Sequence, residues 1–150
     1  MKVIGNLHIL GQKSIIKMNT NPANNLEYSG WISDEFVGEN VTIGQGLYFD
    51  HTEQRWKLAK ADVEATMPCR AIALEDILNG QSGKLLRYGT LRIDGKQFTN
   101  PYIYISDSVP GEITDIKPTT IGSIIQKIGC PVKNNTGWYD FNSTTTVINE

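Results

Sequence analysis

The stretch from Pro101 to Val132 limits the fold more than any other part of the chain. It is a succession of short apolar runs, Tyr-Ile-Tyr-Ile, Glu-Ile-Thr and Ser-Ile-Ile-Gln-Lys-Ile-Gly-Cys-Pro-Val, each bounded by Gly, Pro, Asp or Ser. Runs this short, with a breaker at each end, are the pattern of short strands joined by tight turns. The same arrangement occurs earlier in the chain. Leu47-Tyr48-Phe49-Asp50 matches Ile103-Tyr104-Ile105-Ser106, and Ala71-Ile72-Ala73-Leu74 matches Gly129-Cys130-Pro131-Val132. The spacing is 23 residues from Tyr48 to Ala71 and 25 from Tyr104 to Gly129. We read two related strand–turn–strand units packed around one core.

Taken in order, Tyr28–Ile32, Val41–Ile43, Leu47–Asp50, Trp56–Ala61, Cys69–Leu74, Lys84–Ile93 and Trp138–Asn142 are expected strands. His51–Arg55 is a hairpin connection, and Asp62–Thr66 is long enough for one helical turn only. Asp34–Asn40 is a polar turn region, Asp94-Gly95 a hairpin signal, and Ser143–Glu150 a polar tail. Gly89 interrupts its strand, where a bulge or a close backbone approach is expected. The count is about nine to eleven short strands with no long helix, so the fold class is all-β, an antiparallel sandwich or barrel.

At 150 residues the chain suits a single domain. Its 14 Gly and 6 Pro are spread along it and punctuate strands, with no cluster to mark disorder. A net charge of −2 argues against nucleic-acid binding, which needs a basic surface to neutralise phosphates. No apolar run reaches the roughly 20 residues that span a bilayer. No continuous apolar leader with a cleavage site is present, so cytoplasmic synthesis without membrane insertion is expected.

Residues 1–25 read differently from the rest. Val3, Leu7, Ile9, Leu10, Ile15, Ile16 and Met18 recur among few charges, and the alternation in Asn6–Leu10 favours extended structure. Lys2, Lys13 and Lys17 occur with no acid in residues 1–26, whereas residues 27–76 carry ten acids against four bases. Two readings stand open: an arm that pairs with another chain or a partner's groove, or a first strand of the domain's own sheet. Asn19–Asn25, with four Asn and a Pro, reads as a linker. The domains are therefore residues 1–25, arm and linker, and residues 26–150, the β domain.

Catalytic signatures are missing: there is no GxGxxG, GxxxxGK[ST], HExxH or GxSxG. His8 and His51 have no metal-spaced partner, and Cys69 and Cys130 read as small buried core residues, with a disulfide the lesser reading. Asp34/Glu35 and Glu75/Asp76 are adjacent acids, which in a strand or turn point apart and do not converge on a substrate. No cofactor or metal is expected, and the chain is read as a non-enzyme. Among the aromatics, core packing is expected for most. Trp31, Trp138 and Tyr139 are the candidate glycan contacts, as stacking platforms for sugar rings. Tyr102 and Tyr104 share one face of their strand, and one face there is expected to be half-buried or at an interface.

From Val41 onward the chain resembles a domain of tailed-bacteriophage virion proteins. The resemblance is carried by Gly44-Gln45-Gly46-Leu47-Tyr48-Phe49-Asp50, Trp56-Lys57-Leu58-Ala59-Lys60-Ala61-Asp62 and Ala71-Ile72-Ala73-Leu74. It continues through Gly80-Gln81-Ser82-Gly83, Leu85–Gly89, Tyr104-Ile105-Ser106 and Pro110–Thr114 to Pro118, Gly122, Gln126–Gly129 and Trp138–Asn142. It covers about two thirds of the chain. The resemblance implies a non-enzymatic virion module of the head-fibre, capsid-decoration or tail-fibre kind, usually trimeric or knob-like. A head-fibre or decoration protein is the first expectation, located in the virion, self-associated as a homotrimer and bound to capsid or other virion proteins. In that setting residues 1–25 become its attachment stem. The alternative is a receptor-binding tail tip engaging host surface glycans.

Overall fold

The computed structural model describes residues 18–141 and 144–149. Eleven strands and one 3-10 turn, Glu64–Thr66, make up the regular structure there. The fold is all-β, with antiparallel sheets that curl into a half-barrel. The arm residues Val3, Leu7, Ile9, Leu10, Ile15 and Ile16, and His8 with them, lie outside the described residues; Met18 lies within.

The spine is β5 (Ser82–Arg92), the longest strand. Along one edge it pairs with β1 (Tyr28–Phe36) over its whole length, from Tyr28↔Leu91 to Phe36↔Ser82. Two strands share its other edge. β4 (Ala71–Ala73) takes the first half through Ile72↔Leu86, and β10 (Thr136–Asp140) takes the second, from Thr136↔Arg92 to Asp140↔Tyr88. β4 leads on to β2 (Gly46–Asp50) and β3 (Arg55–Leu58), and β10 to β9 (Gly129–Lys133). A parallel bridge between Val37 and Trp56 brings the end of β1 to β3 and curls that half of the sheet. Two small sheets complete the described fold, β6 (Tyr104–Ile105) with β7 (Ile113–Thr114) and β8 (Ile124–Ile125) with β11 (Thr146–Val147).

Alternation along the strands separates two cores. Ala71, Ala73 and Leu85 join Val37, Val41, Leu47, Trp56 and Ile77 in one cluster. Their strand neighbours Ile72 and Leu86 join Leu91, Ile103, Ile105, Ile113, Ile128 and Tyr139 in the other. The sheet is apolar on both sides at β4, which is why Ala-Ile-Ala shows no polar alternation.

The two units recur in the pairing itself. Leu47 is the antiparallel partner of Ala71, and Ile103 is the antiparallel partner of Gly129. Each unit also carries a hairpin on its first strand, β2–β3 in one and β6–β7 in the other. The buried side chain of Gln126 joins the units. Its Oε1 accepts from the Cys69 amide at 2.8 Å and its Nε2 donates to the Cys69 carbonyl at 2.9 Å.

Several local expectations are corrected. Asp34–Phe36 continues β1, and Thr146–Val147 of the expected polar tail pairs with β8. Asp94-Gly95 does turn the chain, but the strands on either side of it are not hairpin partners, because β5 pairs with β1, β4 and β10. Around Gly89 both alternatives hold: the ladder shifts register between Trp31 and Ile32, and the backbones of Gly30 and Gly89 approach closely.

The Asn-rich segment is fastened to the sheet. The Asn19 amide donates to Ser29 Oγ at 3.0 Å, and the Asn19 carbonyl accepts from Thr90 Oγ1 at 2.6 Å. Asn21 Oδ1 accepts from Lys133 Nζ. Arg92 donates to the carbonyls of Pro22, at 3.2 Å, and Ala23, at 2.7 Å, while Asn25 Oδ1 accepts from the Asp94 amide at 2.9 Å. Pro22 is buried. A segment read as linker is therefore a strap: its Asn side chains and free carbonyls satisfy groups on three strands and the turn after β5.

Candidate functional site

The outer face of β1, β5 and β10 carries the most distinctive side-chain arrangement. Register sets it up. Trp31 stands opposite Tyr88, and the next pair is Ile32↔Leu86, so Arg87 is an extra residue in β5. On the other edge Trp138 stands opposite Thr90 and Asp140 opposite Tyr88. Partners across a ladder share a face, so Trp31, Tyr88 and Trp138 form a diagonal. Their rings are in contact, Trp31–Tyr88 at 5.6 Å between centroids and tilted by 45°, Tyr88–Trp138 at 5.3 Å and edge to face. Trp31 is 62% exposed, whereas Tyr88 and Trp138 are half-buried.

The bulge frees Arg87 to bend across the sheet. Its guanidinium lies 4.5 Å from the centroid of the buried Trp56 ring and reaches Glu35 Oε1 at 3.4 Å. A cation over an indole face, in partial burial, holds its orientation more firmly than a solvated arginine would. The aromatic diagonal is thus bordered by a fixed Arg87–Glu35 pair on one side and by the strap at Asn19 on the other.

Of the candidate glycan contacts, Trp31 and Trp138 are brought onto this face and Tyr139 is not. Tyr139 is fully buried and stacks on Phe141 at 6.3 Å. The reason is strand alternation: residues 138 and 139 point to opposite faces of β10. Burial, with Cys69 beside it, pushes the Tyr139 hydroxyl far above the usual phenol range. Tyr88, which completes the diagonal, and Arg87 were not among the candidate contacts; the signal for both was Gly89, beside the bulge that places them.

Tyr102 is exposed under Lys127, whose Nζ lies 3.7 Å from the ring centroid, while Tyr104 is buried. The acid pairs diverge as expected. Glu35 pairs with Arg87, Glu75 Oε1 accepts from the Lys84 amide at 2.8 Å, and Asp76 Oδ1 accepts from the Ile43 amide at 2.9 Å. These carboxylates hold loops and strand ends. His51 is exposed and edges onto Phe49. A cleft of about 440 Å³ lies beside it, lined by Tyr48, Asp50, Arg70 and the loop at 65–68. Asp50 there is committed to Lys57 at 3.0 Å and to the Thr52 amide at 2.9 Å, and the Lys57 hydrogen bond first of all holds its carboxyl below the usual range. Among the described residues no three His, Cys, Asp or Glu side chains gather as a metal site.

The cysteines are both free and unlike each other. Cys69 is buried as expected, and burial pushes its thiol up to about 12. Cys130 was expected in the core but is exposed, because β9 presents it on the outer face opposite Trp138. Native protein should therefore give up one thiol per chain to iodoacetamide, at Cys130, with Cys69 reacting only on unfolding. Peptide mass mapping checks this, and labelled Cys69 in native protein would contradict the burial.

Against known proteins, no family model, no curated protein and no solved structure matches the chain. The fold and face define a class only: an all-β domain with an aromatic outer face and a fastened N-terminal strap.

Proposed function

We propose that this chain is a non-enzymatic structural protein of a tailed-phage virion, a head-fibre or capsid-decoration domain. Residues 1–17 act as its attachment arm, and three copies assemble. The observation that supports this reading is the strap. An arm that carries load must be joined firmly to the body, and residues 19–25 are bound to β1, β5, β9 and the turn at Asp94. The sequence resemblance supplies the virion setting, and avidity from three arms offsets weak single contacts. The carboxylates described above serve loops and ion pairs, an economy suited to a rigid scaffold.

A second reading keeps one specific observation in its favour. Trp31 and Trp138 on one outer face suit stacking on sugar rings, as a receptor-binding tail tip would require of its host glycans.

Light scattering separates these readings. The full chain is expected at three times its 16.7 kDa mass, and a chain beginning at Met18, which keeps the strap, is expected to stay folded and to be lost from assembled virions. A full chain that runs as a monomer removes the fibre reading. Oligosaccharide binding that disappears in Trp31→Ala, with the fold intact, would then carry the second.

A further inference from the structure

We propose that the cleft between the end of β2 and the loop at 65–68 is a binding site for one carboxylated sugar unit, with Arg70 as the carboxylate anchor. The proposal stands on the cleft alone and does not rest on the virion reading.

The walls are set before any ligand arrives. On one side Asp50 Oδ1 accepts from the amides of Thr52, at 2.9 Å, and Glu53, at 3.2 Å, which fixes the turn after β2. On the other, Thr66 Oγ1 accepts from the Lys60 amide at 3.1 Å and ties the loop to the chain leaving β3. Arg70 is held from both ends. Its amide donates to the Leu47 carbonyl at 2.8 Å, and its neighbours Cys69 and Ala71 are fully buried. Gln126 clamps the backbone of Cys69, one residue away. A cleft ordered in advance loses less freedom on binding.

Its lining is rich in donors and short of acceptors. Among the described residues, the Arg70 guanidinium, the hydroxyls of Tyr48 and Thr52 and the His51 ring have no hydrogen-bond or ion-pair partner. Asp50, the carboxylate of the lining, is already taken by Lys57 and the turn amides. Arg70 is therefore the charge in the cleft that nothing answers. Its planar fork matches a carboxylate through two parallel hydrogen bonds. Burial first, then Asp50, pushes the Tyr48 phenol above its usual range, so it stays protonated and able to donate. Met67 and Pro68 give one flank an apolar surface, suited to the C–H face of a pyranose. The volume, about 440 Å³, is that of a small-molecule site. A bare anion would satisfy Arg70 and leave the other donors and the apolar flank to water. An acid on a hydroxylated ring engages all of them.

Proton–nitrogen NMR titration of the full-length protein tests the site, with D-glucuronate, D-glucose and inorganic phosphate as separate arms. Glucuronate is expected to shift the amides of Tyr48, Thr52, Met67 and Arg70 saturably. Glucose, which lacks the acid, should bind at least about tenfold more weakly. Phosphate should give no saturable shift. Arg70 is exposed, so Arg70→Gln should melt with the parent and lose about tenfold or more in glucuronate affinity. Arg70→Lys keeps the charge without the fork and should fall between them. No glucuronate shift at these amides, equal binding of glucose, or an unchanged Arg70→Gln overturns the proposal. Saturating phosphate with the same shifts makes this a plain anion site and overturns the sugar. Glucuronate shifts confined to Trp31 and Trp138 overturn the cleft and move sugar binding to the aromatic face.

Discussion

A Gln126→Leu chain is expected to lose about 3 kcal/mol of stability, because two buried backbone groups each lose a partner worth about 1–3 kcal/mol. Gln126 is 1% exposed and spans the joint between the two units. Its amide imitates a strand edge, accepting from and donating to the same residue, Cys69, at 2.8 and 2.9 Å. Leucine has nearly the same volume, so packing changes little and the deficit isolates the hydrogen bonds. In urea, with a slope of about 1–3 kcal/mol per molar, the midpoint should fall by roughly 1–3 M. Gln126→Glu is the useful companion: it keeps an acceptor, loses the donor to the Cys69 carbonyl and brings a charge into the core, so it should fare no better. A midpoint within about 0.3 M of the parent would mean that the joint is held by apolar contact between the clusters and not by this side chain.

How far this joint could be read from the sequence depends on what is local. The strands of the two units are visible as alternating or continuous apolar runs, and their likeness foretells that Leu47 and Ile103 occupy equivalent places. Gln126 is polar and sits in an apolar run, and nothing in its neighbours says which distant backbone it will serve. The same limit appears at Asp94-Gly95. Its turn is encoded locally, but the strand that flanks β5 afterwards, β10, is chosen by packing of Tyr139 and Leu91 in the core. Asp34–Phe36 hid its strand because it lies toward water on an outer strand, where polarity carries no penalty. Cys130 and Tyr139 were misplaced for one shared reason. Each stands in an apolar run, and only the register of β9 and β10 decides which alternate residues meet the core. The Asn-rich strap misled in the opposite sense: asparagines that commonly signal turns here present acceptors to Lys133 and Asp94.

Gly89→Ala is expected to be the more damaging change, by about 4 kcal/mol, against a total of about 5–15 kcal/mol for a domain. Gly89 has φ +138° and its ladder partner Gly30 has φ +155°, a region that costs any other residue roughly 1–3 kcal/mol. A Cβ on Gly89 would also collide with the Ser29 carbonyl oxygen and the Gly30 Cα. Both obstacles are backbone, so neither can rotate aside, and relief requires β1 to move off β5 at the third pair of the longest ladder. That movement separates Trp31 from Tyr88 and lifts the Ser29 and Thr90 anchors of the strap. Gly95→Ala is the control, since a Cβ there meets nothing within 4 Å. Thermal melts by circular dichroism should show Gly89→Ala well below the parent and Gly95→Ala beside it. Because one displacement of β1 relieves both glycines, the double change Gly30→Ala with Gly89→Ala should cost clearly less than the two singles together. Strictly additive losses would mean that the two positions are strained independently, and that the close approach of β1 to β5 does not hold the aromatic face in shape.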